Sequence, residues 1–354
     1  MAKTTGSTAV ADRPADSVWL STLPTPRIAA VSGLVSAVRQ SADLVRAVRP
    51  AAGVLSGMPG AVTDLAVSHD GRSLVAAHLG QDAVSVVDVA TLNLRSVCHG
   101  IAEPFAVAVS DRAYVRSASI AEDNVVAVDL DTGAALAARE VGVGARGLAV
   151  SRSGELVYVA RSADGVAEVV VVDVESGHLS TIDIARAAGA SVDALRINAA
   201  GSRLYAALNS ATGGTLVAVD VRSGRVLNTV AVGSSIGDIA VHPDERRVFA
   251  TGWDPERGGV LHIVDTGAAR TVHTIATGGT PAQVVLTAGA AFVAVGDDVV
   301  VIDTATARIV DRIDIGRPVS CLAVSRDGTH LYAGDFEGTL VAMTVRSADL
   351  RAAS

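Results

Sequence analysis

The residues of this chain that could do chemistry are carboxylates and arginines, and they recur in two patterns. In the first, an aspartate closes an apolar run at Asp88, Asp129, Asp173, Asp220, Asp265 and Asp303. One carboxylate so placed could act as a general acid or base. Six copies, about 43 residues apart and with Thr344 in the seventh place, argue for a turn instead. In such a turn the carboxylate accepts hydrogen bonds from backbone N–H groups just downstream. In the second pattern, charged and aromatic residues gather in the segments between apolar runs. Glu103, Asp123, Arg146, Trp253, Asp254, Arg257, Arg317, Asp335 and Phe336 are the sharpest candidates for binding a ligand or partner. His78, Asp82, Glu122, Asp164, Glu256, Asp297 and Asp298 stand beside them. Converging carboxylates would attract a cation or a basic partner. Solvated loop charge is the plainer reading and is preferred. Trp253 is the sharper feature, since a large aromatic in a loop suits a contact anchor; a blade-capping role for it is equally open.

No catalytic constellation emerges. The eight histidines are dispersed, without a His-x-x-x-His pair or a phosphate loop. Gly142-x-Gly144 and Gly278-Gly279 read as turns between repeats. Cys98 and Cys321 are the only cysteines and match neither a disulfide framework nor a zinc spacing, so both are expected to be small buried side chains. No metal site and no cofactor are expected.

The elements that position these residues come from a repeat. Each unit reads as an apolar strand, a turn, a second apolar strand, a loop, and a third strand ending in the aspartate. Leu65-Ala66-Val67-Ser68, Leu148-Ala149-Val150-Ser151 and Leu322-Ala323-Val324-Ser325 are copies of the first strand. Asp70-Gly71, Ser153-Gly154, Ala200-Gly201 and Asp327-Gly328 are the turns after it, where a two-residue hairpin wants positive φ. Gly214–Ser223 recurs almost literally as Gly338–Ser347. A fourth strand follows, as in Val226–Val232 or Ile309–Ile315. Seven units of this length predict an all-β fold, a seven-bladed β-propeller of four-stranded antiparallel blades. Runs such as Val169–Val172 suit strands covered on both faces, which neighbouring blades supply.

Ser151–Ala160 followed by Val171–Gly177 resembles the YVTN-type β-propeller repeat. The resemblance runs from about Ala61 to Arg346 and implies a stand-alone bacterial propeller. It says nearly nothing about function, because such propellers serve enzymes, surface layers and scaffolds alike.

The composition agrees. Nearly half the residues are apolar but only 3% are aromatic, so the core must be built from Val, Ala, Leu and Ile. The formal net charge is −8, with no basic stripe, which excludes a nucleic-acid binder. No run of 18 apolar residues occurs, so no transmembrane helix and no signal peptide are recognised. A cytoplasmic location, or peripheral attachment to the inner side of the cell membrane, is expected.

The propeller is expected over 51–346, its ring closed by about 51–57 pairing with the seventh unit at 319–346. Residues 347–354 form a C-terminal tail. Residues 1–25 are read as a disordered tail. Thr25-Pro26 then opens an amphipathic helix over 26–48, with the segment running to about 50, where Pro50 stops the pattern. This helix either covers the propeller's flank, docks a partner, or lies on a membrane surface, and the first is preferred.

Functional sites should lie where the loops between second and third strands meet those between blades. Two functions remain open. The preferred one is a non-enzymatic protein-interaction scaffold or accessory subunit, monomeric, holding protein partners through its loops or the 26–48 helix. By analogy with stand-alone bacterial propellers it would serve a cell-envelope assembly or lipid-transport complex. The other is a lactonase-like hydrolase acting on a small sugar lactone at the channel mouth, for which a histidine and two arginines in a deep pocket would speak.

Overall fold

The computed structural model describes residues 48–119 and 122–345. The N-terminal tail, the expected helix up to residue 47, and the C-terminal tail lie outside them. The described chain folds into seven four-stranded sheets, each a sequential antiparallel meander except the last. Blade 1 contains Val62–Val67, Ser73–His78, Ala83–Asp88 and Leu94–His99, counted from the innermost strand outward. The innermost strands of blades 2 to 7 are Ala106–Val109, Ala145–Val150, Ser191–Ile197, Ser235–Val241, Pro281–Leu286 and Val319–Val324.

The seventh blade takes its outer strand from before the first. Val48–Leu55 runs antiparallel to Leu340–Val345, with Val48 opposite Val345 and Leu55 opposite Leu340. This corrects the expected end of the N-terminal helix, since residues 48–50 are strand. Pro50 has no N–H to give a ladder, but here it sits in an outer strand whose register shifts between Arg49 and Gly53. An edge strand with a bulge is where a sheet tolerates proline.

The core is distributed rather than central. Seven apolar clusters each draw on two neighbouring blades, and one of them joins blade 7 to blade 1. An aromatic-poor chain spends its large rings at one register. Tyr114, Tyr158, Tyr205, Phe249, Phe292 and Tyr332 occupy the second strands of blades 2 to 7, all buried. Most face a small residue of the innermost strand, as Tyr158 faces Ala149 and Tyr332 faces Ala323. Large against small fills the interblade space at native density.

The repeated aspartates make turns. Asp173 Oδ1 accepts from Ser176 N and Oγ at 2.8 and 2.7 Å, and Asp220 does the same with Ser223. Blades 2, 3 and 4 place glycine at the following positive-φ position, whereas blades 1, 5 and 6 place Leu92 (φ 54°), Ala269 (φ 50°) and Ala307 (φ 56°).

Candidate functional site

The innermost strands enclose an axial channel with a cavity of about 480 Å³. In six of the seven blades the pairing of first and second strands is shifted near the start of the first strand; blade 2 alone is regular. Such bulges re-aim side chains. Here they send the third or fourth residue of the innermost strand sideways into the next blade. Asp64 Oδ2 accepts from Val107 N at 2.8 Å, and Asp238 Oδ2 accepts from Val284 N at 3.0 Å. The Gln283 carboxamide oxygen accepts from Leu322 N in the same way. Blades 1, 5 and 6 are thus each latched to the following blade through one structural position. At the same position Gly147 leaves no room, for a Cβ would stand 3.2 Å from the Ala194 Cα of blade 4.

These latches put charge inside the channel. Arg196 donates to Asp238 Oδ1 at 2.8 Å. Desolvation between the strands pushes the Asp64 carboxyl up to about 6, against the lowering effect of its hydrogen bonds and of Arg196. Burial also raises Asp238, partly offset by Arg196. Sequence reading missed Asp64, Asp238, Arg196 and Gln283. The available signal was a polar residue interrupting an otherwise apolar first strand.

At the upper mouth, where second-to-third-strand loops and interblade loops converge, a second cavity of about 580 Å³ is lined by Phe105, Arg116, Asp123, Arg146, Ser162 and Asp193 among others. It brings together two sequence-identified residues, Asp123 and Arg146. Asp123 is buried and accepts from Gly144 N and Ala145 N, both at 2.8 Å, with Arg116 at 3.5 Å. Arg146 pairs with Asp193 at 3.2 Å. Arg317 and Asp335 meet elsewhere on the same face at 3.0 Å, and Glu337 lies 3.6 Å from the same guanidinium. Asp335 also accepts from the N–H groups of Glu337 and Thr339, so it holds its own loop. Asp254 does likewise with Glu256 N and Arg257 N. Glu103 is exposed, at φ 40°, with its N–H on the Asp82 carboxylate. His78 is not on a loop at all. It is fully buried, bonded to Gly60 O and Ser85 Oγ.

Trp253 is not on a loop, as its sequence context suggested, but near the upper end of the second strand of blade 5, paired with Ser235 and Gly259. It is exposed by 50%, Phe336 on the loop of blade 7 by 60%, and Phe105 on an interblade loop by 47%. All three belong to the upper face. The other phenylalanines, Phe249 and Phe292, and every tyrosine are buried.

Gly233-Ser234-Ser235-Ile236-Gly237 has nucleophile-elbow spacing. Ser235, however, begins an innermost strand opposite Trp253 and makes no strand-to-helix turn. Its neighbour Ser234 bonds His262 Nε2 at 2.7 Å, and His262 Nδ1 meets Thr274 Oγ1 rather than a carboxylate. Ser234 and His262 are both buried and line neither the channel nor its mouths. The arrangement is a satisfied internal hydrogen-bond chain. Among the described residues, no group of three or more His, Cys, Asp or Glu could hold a metal ion, and no helix is long and apolar enough to cross a membrane.

Seven four-stranded blades around a lined channel, closed by an N-terminal strand, define a seven-bladed β-propeller. The chain is similar to the seven-bladed beta-propeller protein Rv1057 of Mycobacterium tuberculosis, with 29% identity over 326 residues covering 81% of this chain and 83% of that protein. Among solved structures it is similar to the hydrazine synthase of Kuenenia stuttgartiensis, with a TM-score of 0.73 over 82% of this chain and 97% of that one. At 19% identity that likeness shows the fold alone. No family model matches the chain.

Proposed function

We propose that this propeller is a non-enzymatic interaction scaffold that holds a protein partner on its upper face. The observation that carries this is the distribution of aromatics. In a chain with so few, the fold consumes most of them at one buried register, yet Phe105, Trp253 and Phe336 stand exposed on a single face. Exposed aromatics anchor interfaces because they bury much apolar area at low entropic cost. Around them Glu103, Arg146, Arg257 and Arg317 provide a polar rim. The helix expected over 26–48 belongs to the same reading as a second docking element, and the monomeric state, inner-membrane vicinity and envelope setting belong with it.

Lactone hydrolysis has less support. Arg146 and Arg317 are each held by carboxylates, and no histidine lines the channel or the upper mouth.

The test is differential crosslinking in the cell of origin. It compares the full chain with a Trp253→Ala/Phe336→Ala variant and with a chain lacking residues 1–47, which keeps the closing strand. A partner captured by the full chain and lost from the aromatic variant is expected. An identical set of partners from all three proteins would sink the reading.

A further inference from the structure

The opposite, lower face is built by the turns between first and second strands, and its chemistry differs. Every innermost strand ends there in an aliphatic residue that is only half-buried, from Val67 in blade 1 to Val324 in blade 7. The fold does not demand this, since a side chain pointing into an open channel could equally be polar. Val67, Val109, Val150, Ile197 and Val324 form the floor of a cavity of about 330 Å³ at the lower mouth. That volume lies at the small end of the roughly 300–1,000 Å³ range of ligand pockets.

The rim is cationic. Two residues beyond those floor positions the turns carry His69, Arg152 and Arg326, and all three line the cavity. Arg326 Nη1 donates to the His69 carbonyl at 2.5 Å and to His69 Nε2 at 2.7 Å. With Nε2 accepting, the neutral ring carries its proton on Nδ1. Desolvation, then the charges of Arg326 and Arg152, hold the His69 pKa down, so the ring acts as a clamp for Arg326. Among the described residues neither Arg152 nor Arg326 pairs with a carboxylate, whereas Arg146, Arg196 and Arg317 on the channel and upper face each do. The nearby acids are otherwise engaged. Asp70 accepts from Ser68 Oγ and Arg72 N, and Asp111 from Ser110 Oγ. Two arginines without an ion-paired carboxylate thus stand over one apolar cup and offer their guanidinium donors to an opening.

We propose that the lower mouth binds a small organic anion with an apolar tail, a carboxylate or phosphate monoester. Its head sits at Arg152 and Arg326 and its tail lies against the ring of aliphatic strand ends. A bare inorganic anion would leave the floor wet, and a neutral amphiphile would leave the guanidinium groups unpaired. The site is on the face away from Trp253 and Phe336 and is independent of partner docking there.

The probes are octyl phosphate, 1-octanol and inorganic phosphate, titrated calorimetrically into the full chain. Octyl phosphate is expected to bind one per chain, with octanol and inorganic phosphate each weaker by about tenfold or more. The Arg152→Gln/Arg326→Gln variant should lose at least about tenfold in affinity for octyl phosphate. Both side chains are exposed, so its melting temperature should stay that of the parent; the two single variants, each losing part of the affinity, cover the case where it does not. Ile197→Ser should weaken octyl phosphate and leave inorganic phosphate unchanged. Trp253→Ala should leave both unchanged. Octanol binding as tightly as octyl phosphate, or undiminished octyl phosphate binding in the arginine variants, would overturn the proposal.

Discussion

The Gln283 carboxamide donates to the Asp64 carboxylate at 3.1 Å across the channel, although 219 residues separate them in sequence. The bond spans blade 7, the blade assembled from both ends of the described chain. Gln283 also accepts from Leu322 N of blade 7, and Asp64 from Val107 N of blade 2. Two side chains therefore tie four consecutive blades together at the seam where the ring closes. Ser320 of blade 7 adds a hydroxyl donor to Val62 O of blade 1.

Removing the Asp64 acceptor should be costly out of proportion to its size. Asp64→Leu leaves Val107 N and Gln283 Nε2 without partners and should lower stability by about 2–4 kcal/mol in urea unfolding. A double-mutant cycle with Gln283→Leu should show a coupling of at least about 0.5 kcal/mol. Additive effects would mean that the two side chains do not act as one latch.

The channel carboxylates set a pH dependence opposite to that of the turn aspartates. Asp64, raised to about 6, and Asp238, also raised, bind protons more tightly in the folded chain than in the unfolded one. Their contribution is therefore most favourable at low pH and falls as pH rises from about 4 to 6. Asp88 and Asp327 are lowered to about 2, chiefly by side-chain hydrogen bonds from Arg95 and Ser68's counterpart Ser325 respectively, so their contribution is lost as pH falls below about 4. His78 and His262, both lowered by burial, act in the opposite sense and add stability as pH rises toward 6.5. The carboxylate limb is therefore read as a difference: between about pH 4 and 7 the parent should lose stability relative to Asp64→Asn by on the order of 1 kcal/mol, after allowance for channel water. Melting temperatures measured from pH 3 to 8 check both limbs.

The closing strand should be indispensable. Deleting residues 1–57 removes Val48–Leu55 and bares the Leu340–Val345 edge, so stability should drop by several kcal/mol and aggregation should appear. Deleting only 1–47 should leave the melting temperature close to that of the full chain. Equal melting temperatures for the two truncations would rule out strand-mediated closure.

Three turns carry removable strain, one of them at Leu92 (φ 54°). Ala269 and Ala307 hold positive φ at a position where Gly133, Gly177 and Gly224 serve other blades. Ala269→Gly and Ala307→Gly should each stabilise by up to about 1 kcal/mol, against the usual destabilisation from added unfolded-state entropy. Denaturant midpoints read the sign directly.

The sequence by itself determined the repeat, the strand order within a blade, and the turn role of Asp88 and its copies, because all of these rest on contacts between near neighbours. An aspartate bonding a hydroxyl three residues on is visible as a pattern. The sequence also marked Trp253 and Phe336 as unusual in an aromatic-poor chain, although only Phe336 proved to be on a loop and Trp253 ends a strand. Tertiary structure alone decided what the polar residues of the innermost strands do. Asp64, Asp238 and Gln283 occupy a position that other blades fill with Ala, Gly or Cys, and their partners lie in the next blade or across the channel. It also decided that Arg146 is neutralised by Asp193 whereas Arg152, six residues later, lies at the other mouth without a carboxylate. A β-strand carries successive residues along the channel, so near neighbours in sequence reach opposite faces, and only the closed ring shows what meets them there.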